Sequence, residues 1–232
     1  MKRKILKVVC FSLVFVMLFM GLGFLVQNLS QETEMINNVN LTVVLDAGHG
    51  GEDGGCIGKT TGIKESDLNL EYTYILGRYL TSMGIKVVYT RKDQNGLYTL
   101  GAADKKISDM QKREEIIEKA NPQAVISIHM NKFPQSEYKG AQVFYNEQNK
   151  NSEALANSIR DCLVKNVENA RELTLAGDYY MVNCTKAPSV IVECGFLSNP
   201  DEEVLLQNEE YQNKLCYNIF LGIVKYLNIK NN

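Results

Sequence analysis

The sequence predicts an α/β fold: a single three-layer domain whose central, mostly parallel sheet is flanked by helices, preceded by an N-terminal membrane segment. Two observations carry this. Short apolar β-type runs recur at 41–45, 85–89, 124–128, 140–145 and 190–194, and stretches of helical periodicity lie between them. Several of the runs are continuously apolar rather than alternating, as expected of strands buried on both faces by helices. The composition is that of an ordinary globular chain, 45% hydrophobic and 22% charged over 232 residues, which is enough for one domain with a sizeable core.

Residues 1–26 differ from the rest. Lys2, Arg3 and Lys4 precede a run from Ile5 to Val26 that is apolar apart from Lys7 and Ser12. A membrane span needs about 20 such residues. The run has no polar stripe, which argues against a buried core helix. Gly21-Leu22-Gly23 is a poor small-x-small cleavage site, so an uncleaved signal anchor is favoured over a cleaved signal peptide. The basic residues keep the start of the chain in the cytoplasm and export the remainder. That segment carries four positive charges and no acids, leaving −6 of the total −2 for the exported part. Such a balance argues against nucleic-acid binding. Residues 27–40 are polar and irregular, a tether to a domain spanning 41–232.

The domain opens on the run Leu41–Leu45, followed by a glycine-rich loop from Gly48 to Gly58. Leu68, Tyr72, Ile75, Leu76, Tyr79, Leu80 and Met83 then form one helical stripe, which Ser66 or Asp67 can cap and Gly84 can end. Ile85–Tyr89 is the second strand, so strand, helix and strand make a right-handed βαβ unit. A loop from Lys92 to about Lys106 leads to a helix over 108–120, ended by Asn121-Pro122. Strands at 124–128 and 140–145, a helix at 152–167 and a strand at 190–194 follow. The tail from 201 to 227 is helical with a break near Asn208.

The chain has two histidines, His49 and His129, and each follows a buried β run. Ligand sites in open parallel sheets gather beyond the carboxyl ends of strands, so two such ends can bring two imidazoles together. Two imidazoles and one carboxylate form a usual catalytic zinc set with a position left for water. The candidate carboxylates are Asp46, Glu52, Asp53, Glu65 and Asp67. Glu65 is placed just before a helix on the same sheet edge as His49, but it could equally serve only to complement that helix's positive N-terminus. Glu193 interrupts an otherwise apolar strand. A buried carboxylate is either paired or functional: near a metal it would handle a proton, and otherwise it would pair with Arg91 or Arg113. The loop glycines lack a phosphate-binding spacing. Outside the apolar segment there are five cysteines and no C-x-x-C pair. An odd number leaves at least one unpaired, and they read mainly as small buried hydrophobes.

LDAGHGGEDGG, KESDLNL, SIHMN and VECGFLSNPDEE resemble, in order, the signature blocks of the zinc-dependent N-acetylmuramoyl-L-alanine amidases of the amidase-3 type. FPQSEYKGAQVFY and the loop before Arg113 are similar to the germination-specific, CwlD-type branch. The resemblance covers 41–228. It implies that His49, Glu65 and His129 bind Zn2+ and that Glu193 is the catalytic acid/base. It also places Asn131 and Gly195–Asn199 near the active site. The implied reaction is hydrolysis of the amide between N-acetylmuramic acid and L-alanine in peptidoglycan, in spore cortex maturation or germination. The alternatives are a zinc peptidase acting on the stem peptide and a wall-binding module without catalysis. Soluble members often carry wall-binding repeats and none is recognisable here, so positioning falls to the membrane through residues 5–26 or to an accessory protein. The implied location is the exported side of the membrane, which in a sporulating cell includes the forespore intermembrane space.

Overall fold

β1 (Thr42–Ala47) is buried at every position and lies inside the sheet of this computed structural model, which describes residues 41–230. The expected membrane segment at 1–26 and tether at 27–40 lie outside the described residues. Among the described residues no helix is long and apolar enough to cross a membrane.

The chain continues through α1 (Glu65–Ser82), β2 (Lys86–Tyr89), α2 (Lys105–Ala120), β3 (Ala124–Asn131), β4 (Gln142–Tyr145) and α3 (Lys150–Asn166). It ends with β5 (Leu175–Ala176), α4 (Tyr180–Asn183), β6 (Ser189–Phe196), α5 (Pro200–Leu205) and α6 (Glu209–Lys230). The strands form one sheet in the order β2-β1-β3-β6-β4-β5. All neighbours run parallel except β4, which is antiparallel to β6.

Alternation along β1 explains the layers. Val43 and Leu45 pack into the larger core with Leu68, Tyr72 and Leu76 of α1, Leu155 and Ile159 of α3, and Ile219 and Ile223 of α6. Val44 points the other way, to Ile117 of α2 and Met181 and Val182 of α4. Successive strand side chains face opposite sides, so a continuously apolar strand feeds two cores.

The expected fold class therefore holds within residues 41–230, with three differences. β5 and α4 were not expected; they span two and four residues, too short for a periodic signal. β3 and β6 each reach eight residues, which extends β3 past His129. Neither Ser66 nor Asp67 caps α1, because the helix starts earlier, at Glu65. Gly84 does follow its end, at φ 76°. The break in the tail falls between α5 and α6, at 206–208. Cys56, Cys162, Cys184, Cys194 and Cys216 are all free thiols.

Candidate metal centre

The turn after β1 delivers His49 to the carboxyl edge of the sheet. His49 has φ 61°, a left-handed conformation that costs a non-glycine residue on the order of 1–3 kcal/mol. Two buried arginines hold the turn. Arg91 donates to the carbonyls of Ala47 (2.8 Å) and Gly48 (3.0 Å), and Arg113 donates to Ala47 (2.8 Å) and to His49 itself (2.6 Å). Arg113 is in turn bound to Asp46 at 2.6 Å and Asp109 at 2.5 Å.

Glu65 arrives from the glycine-rich loop. The first amides of α1 are satisfied by backbone rather than by a side-chain cap: Glu65 N–H donates to Cys56 O at 2.8 Å and Ser66 N–H to Gly54 O at 3.1 Å. The Glu65 carboxylate is thereby left for other partners. Its Oε2 accepts from Cys56 N–H at 2.9 Å. Its Oε1 lies 3.1 Å from His49 Nε2 and 2.9 Å from His129 Nδ1.

His129 comes from within β3, and the two imidazole rings stand 5.0 Å apart, edge to face. His49, Glu65 and His129 offer ligand atoms that all lie within 4.8 Å of one another. Glu193 is the register partner of His129 across the β3–β6 pair. Its buried Oε2 receives no hydrogen bond among the described residues. Beside His49 opens a cavity of about 300 Å³, lined by Tyr98, Lys105 and Met110 among others.

Electrostatics divide the two glutamates. Burial would raise the Glu65 pKa, but the hydrogen bonds from His129 and His49 outweigh it and hold the carboxyl far below the usual carboxylate range. Burial dominates at Glu193, with His129 opposing and Glu65 adding, and its pKa rises to about 7. At His49 burial disfavours charge, yet Glu65 and Asp53 together raise the imidazole to about 9. Carboxylates that stabilise an imidazolium would also stabilise a cation in the same place. Two nitrogen donors and an ionised oxygen donor, all half-buried or buried, fit a divalent metal of the zinc type. The backbone has been thinned around them: a Cβ at Gly55, whose φ is 68°, would lie 2.5 Å from Glu65 Oε2 and 2.8 Å from His49 Cδ2.

A family model described as N-acetylmuramoyl-L-alanine amidase, Amidase_3, matches residues 43–225, which hold all four of these side chains. The chain belongs to that family. It is 37% identical over 193 residues to the germination-specific N-acetylmuramoyl-L-alanine amidase of Bacillus subtilis, covering 81% of this chain and 80% of that one. Among solved structures it is similar to the CwlD amidase of Clostridioides difficile, determined in complex with the GerS lipoprotein. That likeness has a TM-score of 0.78 at 38% identity over 82% of this chain and all of that one. The catalytic domain of CwlV, an amidase of Bacillus (Paenibacillus) polymyxa, matches with a TM-score of 0.73 at 28% identity, over 82% of this chain and 99% of that one. The activity of the amidase is accordingly hydrolysis of the bond between N-acetylmuramic acid and L-alanine, and its place is outside the cytoplasm.

The geometry sorts the carboxylates that spacing had left open. Asp46 is fully buried and taken up by Arg113, Thr90 and Ser127. Glu52 pairs with Lys105 at 2.5 Å. Neither Asp46, Glu52, Asp53 nor Asp67 joins the group around Glu65. The pairing of Glu193 with Arg91 or Arg113 is not formed, because both guanidinium groups are committed to the 46–49 turn and its neighbours. Asn199 caps α5, accepting from Asp201 and Glu202 N–H at 3.0 and 3.1 Å. Sequence reasoning missed Asp53 as a hydrogen-bond partner of His49 and Asn69 as a donor to both Gly48 O and Glu65. The spacing of four residues between His49 and Asp53 was the available signal for the first.

Proposed function

We propose that the amidase is zinc-dependent, that His49, Glu65 and His129 hold the Zn2+, and that Glu193 carries the proton of the reaction. The observation behind this reading is the pairing of His129 with a glutamate whose inner oxygen has no protein partner. Zinc bound by such a set supplies a Lewis acid that lowers the pKa of water and polarises a carbonyl.

The chain's own residues do the rest. Glu65 offers a carboxylate oxygen, and the two histidines offer ring nitrogens. Glu193, whose pKa burial raises toward the range of a proton carrier, accepts a proton from the attacking water. It then delivers that proton to the departing L-alanine nitrogen. The products are a peptide with a free N-terminal L-alanine and a glycan freed of that peptide.

The likeness to a germination-specific amidase supports a role in spore cortex maturation or germination. In this reading residues 1–26 anchor the protein in the membrane, 27–40 form a tether and 41–232 are the catalytic domain, acting on peptidoglycan on the exported side. The solved complex of the similar CwlD with a lipoprotein supports an accessory partner here as well.

The test is mass spectrometry of muropeptides digested with the full chain, with and without a zinc chelator. The expected result is muramic acid without peptide, abolished by chelation and restored by zinc. Stem peptides cut internally, with muramic acid still substituted, would overturn the assignment, as would activity unaffected by chelation.

A further inference from the structure

We infer that Asp53 is a positioning residue for the metal centre, fixing the His49 imidazole through Nδ1 so that Nε2 is presented as the ligand atom. The inference rests on the reading of His49 as a metal ligand.

Asp53 Oδ2 lies 2.8 Å from His49 Nδ1, while His49 Nε2 faces Glu65 Oε1 at 3.1 Å. A neutral imidazole carries one hydrogen. An anionic acceptor at Nδ1 draws that hydrogen there and leaves the Nε2 lone pair directed at the Glu65 side. The carboxylate is itself oriented. Its other oxygen, Oδ1, accepts the Gly55 N–H at 3.1 Å. The Asp53 backbone is tied across the turn to Gly50 by reciprocal bonds, Gly50 N–H to Asp53 O at 2.8 Å and Asp53 N–H to Gly50 O at 3.2 Å. With both carboxylate oxygens and both backbone groups engaged, Asp53 is held more firmly than an exposed i,i+4 partner of a histidine needs to be.

The need for such a brace follows from the backbone. His49 sits in the left-handed region, on a turn followed by Gly50 at φ 133° and Gly51 at φ 64°. Arg113 secures its carbonyl, but a carbonyl contact does not set the ring's rotation about χ2. Asp53 supplies that constraint on one side of the ring, and Gly55, bonded to the same carboxylate, packs so close that a Cβ there would reach His49 Cδ2 at 2.8 Å. Asp53, Gly55 and Glu65 thus form a continuous path from the outer face of His49 to the second ligand.

The experiment measures zinc affinity of the full chain by competition with a chromogenic chelator, together with the melting midpoint of the metal-free chain. The variants are Asp53→Ala and Asp53→Asn. Asp53→Ala is expected to weaken zinc by roughly tenfold to a hundredfold while the metal-free chain stays folded, its midpoint lowered only by the loss of the Gly55 and His49 hydrogen bonds. Asp53→Asn, whose Oδ1 can still accept from Nδ1–H, is expected to fall between it and the parent. Cobalt in place of zinc should give an altered visible absorption in Asp53→Ala. Parental zinc affinity in Asp53→Ala would overturn the inference, and so would a metal-free variant that is unfolded at the assay temperature, since Asp53 would then merely hold the loop. If the parent chain binds zinc no better than His49→Ala, the metal reading itself has failed, and this inference falls with it by a separate observation.

Discussion

Glu193 and His129 are register partners on the parallel neighbours β6 and β3, so their side chains share one place on the sheet edge. Glu193→Gln keeps the size of the side chain and removes its acid/base chemistry. The expected outcome is turnover lower by about 10²–10⁴-fold, with zinc content equal to the parent's. Metal analysis alongside a muropeptide release assay checks it; full turnover would remove Glu193 from the reaction.

Gly55 is the point where the loop crosses Glu65 and His49. Gly55→Ala adds a methyl that meets both Glu65 and His49, at a residue whose φ is 68°. The backbone alone costs about 1–2 kcal/mol. Zinc binding and activity should fall together, and excess zinc should restore part of the activity. A variant with parental zinc affinity would show that the loop gives way.

Arg113 neutralises Asp46 in the core and holds the His49 carbonyl. Arg113→Ala leaves Asp46 buried without its counter-charge, an arrangement that costs about 3–5 kcal/mol. Urea unfolding should register a loss of that order. Arg113→Lys should recover little of it, because one ammonium cannot reach the carboxylates of Asp46 and Asp109 and the carbonyls of Ala47 and His49 in the planar fork geometry.

The same pair sets an acid limit on stability. Burial alone would raise the Asp46 pKa, but Arg113 and the hydroxyls of Ser127 and Thr90 outweigh it and bring it from 3.8 down to about 2. A carboxyl with a depressed folded pKa contributes stability that is present above its unfolded pKa and is lost as pH falls through the folded one. The contribution is on the order of 2–3 kcal/mol. It should be complete above about pH 5 and decline between pH 4 and pH 2. Unfolding free energy measured down this range should show the decline in the parent, and Asp46→Asn should flatten it; an unchanged slope would remove Asp46 as its source.

The fold class was legible because β1, β3 and β6 are continuously apolar and α1 repeats on one face, patterns set by local geometry alone. The two histidines and the glutamate inside a strand were legible for the same reason: a polar residue at the end of, or within, a buried run has few structural uses. Glu65 was only half legible. Its place before a helix suits a cap as well as a ligand, and what separates the two is the backbone of Cys56 and Gly54 satisfying the helix start. The match of four ordered motifs to the amidases had to supply what spacing alone did not.

By itself, then, the sequence determined the order of the longer elements, the chemical types at the site and the family, since these depend on periodicity and on residues near each other along the chain. Only the tertiary structure decided that Arg91 and Arg113 serve the 46–49 turn rather than Glu193, that Asp46 is taken up by Arg113, and that Asp53 bonds the far side of His49. Each of those depends on which strands become neighbours, on the left-handed φ of His49, and on which buried charges pair. The Arg113–Asp46 pair links residues 67 positions apart, and no local pattern records it.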